Sequence, residues 1–356
     1  MSFWESLLKK KDNSYKPPHA TLLLLGNEGC GISEFLKDAF ETNPTKDTLF
    51  SYNYYTHRDP FTNDMVLDAE LFGVVKDLDL NANIVAKDIT TDTICCIFLD
   101  WNKPEEFIDS IEKWLKFLLY SIDLSLKNKY TINDNSRTCF VESEVPEELK
   151  DYTKAYKDLS YAKDQLTKTL QSFKASQDRN WDLDSDNKLD IIPLNEGALS
   201  VNLGLHIIFV LSRTEKYQKT IDQLELTASK TEFILQAIRK ISLTLGAGLF
   251  ALNFNIKSTI EHLRDYILFR FSPSLFTYTV PVEGIVIEQL AIPSGWDSLS
   301  KIKALTAATN IDESFLIQME FTDKHHVKVS SKSHFNKLFP SKKIDNNVLV
   351  IHVGRR

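Results

Sequence analysis

The sequence has no apolar run long enough to cross a membrane, and Lys9, Lys10 and Lys11 interrupt its N-terminal stretch before a secretory core could form. It also lacks an excess of positive charge, since 42 lysines and arginines stand against 49 acids, for a net charge of -7. Such a balance is not typical of proteins whose main partner is nucleic acid or an anionic membrane. We therefore predict a cytoplasmic protein with no nucleic-acid partner and no direct membrane insertion.

Cysteine is scarce, and the four cysteines lack the spacing of a metal site. Two of them, Cys95 and Cys96, are adjacent within an apolar pattern typical of a buried strand. The simpler interpretation is that they are small buried hydrophobic residues. No metal site is predicted.

What is present is organised around residues 21–36, which read TLLLLGNEGCGISEFL. A leucine run of strand length leads into a glycine-rich turn, and the turn opens into a segment whose apolar residues recur at helical spacing. The turn fits the phosphate-binding loop G-x-x-x-x-G-K-[ST], except that Ile32 takes the position of the lysine. The order strand, phosphate loop and helix is typical of nucleotide-binding folds.

The missing lysine bears directly on function. In a working loop the backbone N–H groups hold the phosphates, the lysine neutralises them and the hydroxyl binds Mg²⁺. Ser33 could still meet a metal, but Ile32 supplies no charge. Losing one preorganised donor typically costs catalysis about 3 kcal/mol. We predict a vestigial, empty nucleotide site that includes Gly26, Gly29 and Gly31. A glycine-rich turn unrelated to nucleotide binding is the alternative.

Two further motifs of nucleotide hydrolases are degraded. No aspartate is followed by glycine three residues later, so D-x-x-G is absent. The guanine-reading motif N-K-x-D would follow the fifth strand, where the chain instead has residues 212–215, SRTE. Of these residues, Glu215 could accept a hydrogen bond from the N1–H of a guanine. N-K-x-D-like strings at 187–190 and 102–105 stand at other places in the predicted fold. We therefore predict no catalysis and no cofactor, with GDP or GTP and Mg²⁺ bound by a slow GTPase or a switch as the alternative.

Strands alternate with helices along most of the chain. This alternation predicts a doubly wound, mostly parallel sheet with helices on both faces, an α/β fold of the Ras-like type. The first predicted strand begins at Thr21, and the others cover 48–56, 65–76, 94–100, 205–211 and 249–254. Two predicted helices begin near residue 32 and at Pro104, a third passes through 233–241, and a fourth covers 260–271. A β-rich stretch follows at 277–287.

The domain limits follow from this pattern. We place an N-terminal amphipathic segment at 1–18, the Ras-like domain at 19–290 and a C-terminal extension at 291–356. A helical and acidic insertion at about 141–190 contains apolar residues at three-and-four spacing, which predicts one helix that either folds back on the domain or pairs with another chain. In the N-terminal segment four apolar residues share a helical face, which would dock on the body or on a partner: Phe3, Trp4, Leu7 and Leu8.

Five segments, in order along the chain, resemble the dynein light intermediate chain family. Residues 292–297, IPSGWD, match a family signature, and the other matching segments are 3–8, 100–114, 194–210 and 245–250. The resemblance implies a non-catalytic subunit of cytoplasmic dynein with a Ras-like domain. Animal members keep a fuller phosphate loop with its lysine, and the loss here is similar to fungal members.

The resemblance also implies partners and a location. The family's globular domain binds the dynein heavy-chain tail, and a long C-terminal tail with short helices engages cargo adaptors in microtubule transport. Here Trp296 is a candidate heavy-chain contact, with a core anchor as the simpler interpretation. The sequence given stops at Arg356 without a low-complexity tail, and residues 333–343, which faintly resemble the adaptor-binding helix, contain Pro340. Adaptor binding is therefore not assigned to particular residues.

Overall fold

The central strand β1, His19–Gly26, is buried along nearly its whole length because its leucines alternate between two apolar layers. Leu23 and Leu25 enter one layer, while Leu22 and Leu24 enter the other. In this computed structural model the residues described are 18–43, 50–59, 61–77, 79–90, 92–134, 159–172, 174, 193–279, 281–306, 319–323 and 326–329.

Seven strands form one mixed sheet in the order β2-β3-β1-β4-β5-β6-β7. The inner five are parallel to one another, whereas β2 and β7 run antiparallel to their neighbours at the two edges. The bounds of the strands after β1 are Phe50–Arg58 for β2, Met65–Val74 for β3, Thr93–Asp100 for β4, His206–Ser212 for β5, Gly248–Leu252 for β6 and Ala291–Ile292 for β7. A separate hairpin pairs β8, Met319–Asp323, with β9, His326–Val329.

Helices cover both faces of the sheet. Their bounds are Ile32–Phe40 for α1, Asp79–Asp88 for α2, Phe107–Asp134 for α3, 159–172 for α4, Tyr217–Leu224 for α5, Ala228–Leu245 for α6, Lys257–Phe271 for α7 and Leu299–Thr306 for α8. The layer on one face is filled mainly from α3 and α6, and the opposite layer from α1 and α7. This confirms the predicted α/β fold with helices on both faces. Among the described residues no helix is both long and apolar enough to span a membrane.

The helix α4 lies in the predicted insertion and packs on the chain's own domain. Its Leu166 and Leu170 are 4% and 1% exposed. The side chain of Asn202 donates to the carbonyl oxygen of Lys163 at 2.9 Å, which fixes the helix to the segment that leads into β5. The described part of the insertion therefore folds back on the domain. The remainder of the predicted helix, and the acidic stretch after it, lie outside the described residues.

One sequence prediction about secondary structure is wrong. The β-rich stretch 277–287 forms no strand in its described part; a single bridge joins Glu283 to Ala291. The Glu283 carboxylate accepts the N–H groups of Ile285 and Val286 at 2.7 and 3.0 Å, which removes both donors from any ladder. Pro281 has no N–H to give. The predictions also missed three helices, α2, α5 and α8.

Candidate functional site

Four loops meet at one edge of the sheet because parallel strands bring their carboxyl ends together. These loops follow β1, β4, β5 and β6 and cover residues 27–31, 101–103, 213–216 and 253–256. The candidate nucleotide residues Gly26, Gly29, Gly31, Ser33 and Glu215 all lie at this edge, which we call the loop edge. The sequence prediction that they belong to one site is thus consistent with the fold.

The loop after β1 has the backbone of a strand-to-helix turn. Gly29 and Gly31 have φ of 81° and 96°, in the left-handed region that favours glycine. Helix α1 begins directly after Gly31, so Ser33 lies half-buried in its first turn. The strand, loop and helix predicted from residues 21–36 are present.

Ile32 does more than omit a charge, because its side chain points into the core. It is 4% exposed and belongs to the apolar layer with Phe35 and Leu36. A β-carbon placed on Gly26 or on Gly73 would lie 3.2 Å from an Ile32 methyl group. The position that carries the lysine in a working loop therefore serves as a packing position here.

Cys30 fills the space beneath the loop. Its thiol lies against Gly26, leaving no room there for a β-carbon, and it is buried with 2% exposure. Burial raises the pKa of the Cys30 thiol to about 12, although an N–H donated by Ile32 partly offsets this rise. A neutral thiol thus occupies one backbone donor that a phosphate oxygen would take in a working loop.

Arg213 reaches the loop from the end of β5. Its Nε donates to the carbonyl oxygen of Gly29 at 2.7 Å, and its Nη2 lies 3.1 Å from the Glu34 carboxylate. Arg213 has φ of 60°, a left-handed conformation that costs a non-glycine residue about 1–2 kcal/mol. Its side chain is 18% exposed. A cation does reach the loop, but it is bound to a carbonyl and paired with an acid.

Phe254 covers the loop from the end of β6. A β-carbon on Gly31 would lie 2.8 Å from the Phe254 ring, and the Arg213 guanidinium is 5.6 Å from the centre of that ring. The N–H of Phe254 donates to Glu215 at 3.4 Å, and the Glu215 side chain is only 12% exposed. Glu215, the acid predicted to bind a guanine, therefore accepts a hydrogen bond from the backbone of the chain itself.

A second cation, Lys113 of α3, also approaches the loop. Its ammonium lies 3.2 Å from the Asn27 side-chain oxygen and 3.4 Å from the Asp77 carboxylate. The Asn27 amide in turn donates to Ser110 at 2.9 Å. This lysine is engaged beside the loop by an acid and an amide, in the same way as Arg213.

Other residues that resemble the guanine-reading motif N-K-x-D also make hydrogen bonds or ion pairs within the protein. The hydroxyl of Ser212 donates to the Leu99 carbonyl oxygen at 3.2 Å. In the string at 102–105 the Asn102 amide donates to Asp100 at 2.7 Å, and Lys103 pairs with Glu106 at 3.4 Å. The second string, at 187–190, lies outside the described residues.

Trp296, the predicted partner contact, lies away from the loop edge beyond β7. It is half-buried and packs against the core. The residue after it, Asp297, forms a buried bidentate pair with Arg239 at 2.8 and 2.9 Å. The Ser294 N–H donates to the Tyr266 hydroxyl at 2.9 Å. These bonds fix the segment 292–297 on the domain. The other predicted contacts, Phe3, Trp4, Leu7 and Leu8, lie outside the described residues.

Sequence reasoning missed three residues that define the loop edge: Lys113, Phe254 and the loop-binding role of Arg213. Arg213 is the first residue after β5 and Phe254 is the second residue after β6. The parallel order of the strands therefore indicated that both lie at the loop edge. No sequence signal placed Lys113, because its contact depends on the rotation of a long helix. The Arg239–Asp297 pair was missed because 58 positions separate the two residues.

Comparison with known proteins identifies a family. The family model described as "Dynein light intermediate chain (DLIC)" matches residues 2–315. Cytoplasmic dynein 1 light intermediate chain 1 of Rattus norvegicus is 24% identical over 319 residues, which cover 85% of this chain and 55% of that protein. The Homo sapiens protein gives the same identity and coverage. The chain thus spans about half the length of these curated relatives.

A solved structure shows the same fold. The "Crystal Structure of the Dynein Light Intermediate Chain's Conserved Domain" superposes with a TM-score of 0.59 at 16% sequence identity, covering 91% of this chain and 98% of that one. At this identity the likeness concerns the fold alone. It supports the predicted architecture of the mixed seven-stranded sheet.

Proposed function

Because this chain belongs to the dynein light intermediate chain family, we propose that it is a non-catalytic subunit of a cytoplasmic dynein motor. In this role it binds and stabilises the heavy-chain tail, supports motor assembly, and helps link cargo to transport toward microtubule minus ends. Its location is the cytoplasm, in association with microtubules. The observation that carries the proposal is the family match across residues 2–315.

The loop edge supports the non-catalytic part of the proposal. Ile32 packs in the core, the Cys30 thiol lies under the loop, and Arg213 binds the Gly29 carbonyl. The Phe254 ring lies against Gly31, and position 32 supplies no charge to phosphates held at this loop. We propose that Gly26, Gly29, Gly31, Ser33 and Glu215 form a vestigial site that holds neither nucleotide nor Mg²⁺.

The N-terminal residues Phe3, Trp4, Leu7 and Leu8, together with Trp296, are proposed as contacts with the heavy chain. Large apolar and aromatic side chains dominate the energy of protein interfaces, which favours these residue types over the acidic remainder of the surface. Cargo adaptors are the second proposed class of partner, and no residues are assigned to them.

The test is co-expression of this chain with the dynein heavy-chain tail of the same organism, followed by affinity purification and size-exclusion chromatography. The proposal predicts one complex that contains both chains and survives gel filtration. A heavy-chain tail that elutes alone, although this chain is folded, would contradict it. A complex that forms only after GTP is added would instead favour a nucleotide-dependent switch.

A further inference from the structure

The strand β2 forms one edge of the seven-stranded sheet, and no other described strand pairs with its outer side. Its register against β3 is regular from Phe50 to His57. An edge strand directs alternate N–H and C=O groups away from its neighbour, and proteins usually protect such groups with lysine, proline, bulges or short strands. Residues 50–57 contain neither lysine nor proline, whereas β7 at the opposite edge has two residues. We call residues 50–57 the β2 edge.

Two tyrosines lie on one face of the β2 edge. Side chains alternate along a strand, so Tyr52 and Tyr54 share a face, on which they are 54% and 50% exposed. The Tyr52 ring packs on Phe72 of β3, with the ring centres 5.2 Å apart. Aromatic surface therefore lies directly beside the outward backbone groups of the strand.

The same face carries two carboxylates one strand further in. In the ladder Tyr54 lies opposite Glu70, and Thr56 lies opposite Asp68. The Tyr52 hydroxyl donates to the Glu70 carboxylate at 3.2 Å, and the Asp68 carboxylate raises the pKa of Tyr54. Hydrogen bonds from neutral hydroxyl groups do not cancel the charge of a carboxylate. The tyrosines thus lie between the open edge and two acids.

Neither of these acids pairs with a lysine or arginine among the residues that the structure describes. Both approach His19 of β1, whose ring lies 3.8 Å from Asp68 and 3.9 Å from Glu70. One imidazole can carry one positive charge, so the three side chains together keep at least one negative charge. The two carboxylates are 19% and 22% exposed, which leaves them accessible to a long side chain. The face beside the β2 edge is therefore acidic.

We propose that the β2 edge binds an extended, basic segment of the heavy-chain tail, which adds to the sheet as a further strand. The inference rests on the proposed function and assigns a contact within it. Main-chain groups of that segment would pair with the outward groups of β2, as in other complexes formed by strand addition. Alternate lysines or arginines of the segment would lie over the tyrosine rings and face Glu70 and Asp68. A second copy of this chain fits less well, because residues 50–57 offer no lysine or arginine to meet the acids.

The aromatic part is tested with Tyr54→Lys in the full chain, whose affinity for the heavy-chain tail is measured by biolayer interferometry. The new ammonium faces Glu70 across the ladder and repels a basic partner, so binding should weaken at least about tenfold. Tyr161→Lys is the matched control, because Tyr161 is 59% exposed on α4. Both positions are exposed, so both variants should keep the wild-type circular dichroism spectrum and melting temperature. An equal loss of binding in the two variants would overturn the inference.

The acidic part is tested with Glu70→Gln, which removes the charge and keeps the shape. Binding should weaken several-fold at low salt, and the difference from wild type should shrink as salt rises because charges near the surface are screened. Glu196→Gln is the control, since Glu196 is exposed in the segment that precedes β5. The inference fails if Glu70→Gln binds as tightly as this control at low salt.

Strand addition makes a further prediction about the backbone of the bound segment. Overlapping short peptides that cover the heavy-chain tail are screened against the full chain, and the peptides that bind should be basic. Methylation of the backbone nitrogens at one set of alternate residues should abolish binding, whereas methylation of the other set should leave it nearly unchanged, because one set faces β2. Equal effects of the two sets, or binding by acidic peptides alone, would contradict the inference.

The outcomes separate this inference from the proposed function. If the wild-type chain binds the tail and Tyr54→Lys binds equally well, the β2 edge is not the contact, while the subunit role stands. If the wild-type chain does not bind the tail, the proposed function fails and the inference fails with it. If the isolated chain forms a dimer that Tyr54→Lys dissociates, the β2 edge takes a second copy and the inference is overturned.

Discussion

Arg213 Nε donates to the carbonyl oxygen of Gly29 at 2.7 Å, across 184 positions of sequence. The bond joins the end of β5 to the glycine loop after β1. In this family member the guanidinium of Arg213 is thus bound to the glycine loop through a backbone carbonyl oxygen. Several consequences can be measured.

The first prediction concerns the stability that this bond provides. Arg213→Ala should lower the free energy of unfolding by about 1.5–3 kcal/mol, the usual range for a hydrogen bond to a charged group. Urea denaturation followed by circular dichroism measures it. Arg58→Ala is the control, because Arg58 is exposed and also makes one bond to a backbone carbonyl, that of Asn63 at 3.1 Å. Equal effects would mean that the Arg213 contact does not hold the loop.

The second prediction concerns the missing lysine. Ile32→Lys should not restore nucleotide binding, because position 32 points into the core between Gly26 and Gly73. Burying an ammonium there should instead cost about 2–5 kcal/mol of stability. Ile32→Val, which keeps the apolar character, should cost about 0.5–1.5 kcal/mol. Both costs come from urea unfolding, and binding is followed by titration with a fluorescent GDP analogue. Micromolar binding by Ile32→Lys would show that the cradle lacks only its charge.

The third prediction concerns thiol reactivity. The pKa of the Cys30 thiol is about 12 because the side chain is buried, and burial raises the pKa values of Cys95 and Cys96 as well. In a Cys139→Ser variant, Ellman's reagent at pH 8 should therefore label no thiol until urea is added. One fast-reacting equivalent that disappears in Cys30→Ser would contradict the buried position of this residue.

The same thiol makes stability depend on pH at the alkaline end. Its folded pKa lies above its ordinary value of 9.0, so the unfolded chain loses the proton first as pH rises. The contribution is complete below about pH 9 and is lost between about pH 9 and 12, at up to about 1.4 kcal/mol per pH unit for each such thiol. The urea midpoint of wild type should fall more steeply with pH across that range than the midpoint of Cys30→Ser, because serine has no proton to lose there; parallel curves would contradict the shift.

The fourth prediction concerns the Arg239–Asp297 pair, whose side chains are 3% and 8% exposed. Asp297→Asn leaves a buried guanidinium without its counter-charge and should cost about 3–5 kcal/mol. Arg264→Met, which breaks a half-buried pair with the neighbouring Asp265 at 2.9 Å, should cost less, about 1 kcal/mol. Urea denaturation of both variants checks this. Similar small costs would mean that the segment 292–297 is held by apolar contacts alone.

Much of the fold could be predicted from the sequence because its strands are buried on both faces. The leucines of β1 and the apolar run 94–100 have no other simple interpretation, and both are strands in the structure. The amphipathic signal of α6 was equally direct. The short α2 was missed because its apolar face is weak, and 277–287 was misread because Phe276 and Tyr278 pack against the core without joining a ladder.

The position of the candidate site in the fold could be predicted from the sequence, but the side-chain contacts within it could not. The glycine spacing and the order of strands identified the loop edge, and the absence of lysine indicated lost chemistry. The contacts that fill the edge could not be predicted, since Arg213, Phe254 and Lys113 reach the loop through side-chain directions set by tertiary packing. The same limit applies to Trp296, where the fixing residue Arg239 lies on a different helix.

The most direct test of the central claim is the nucleotide content of the purified protein. The chain is expressed and purified without added nucleotide, denatured, and the supernatant is chromatographed for guanine and adenine nucleotides. We predict a nucleotide content far below one mole per mole of protein, because Ile32 supplies no charge for the phosphates and the Phe254 ring lies against Gly31. Stoichiometric GDP or GTP would show that the backbone cradle binds phosphate without a lysine, and would contradict the account of a vestigial site.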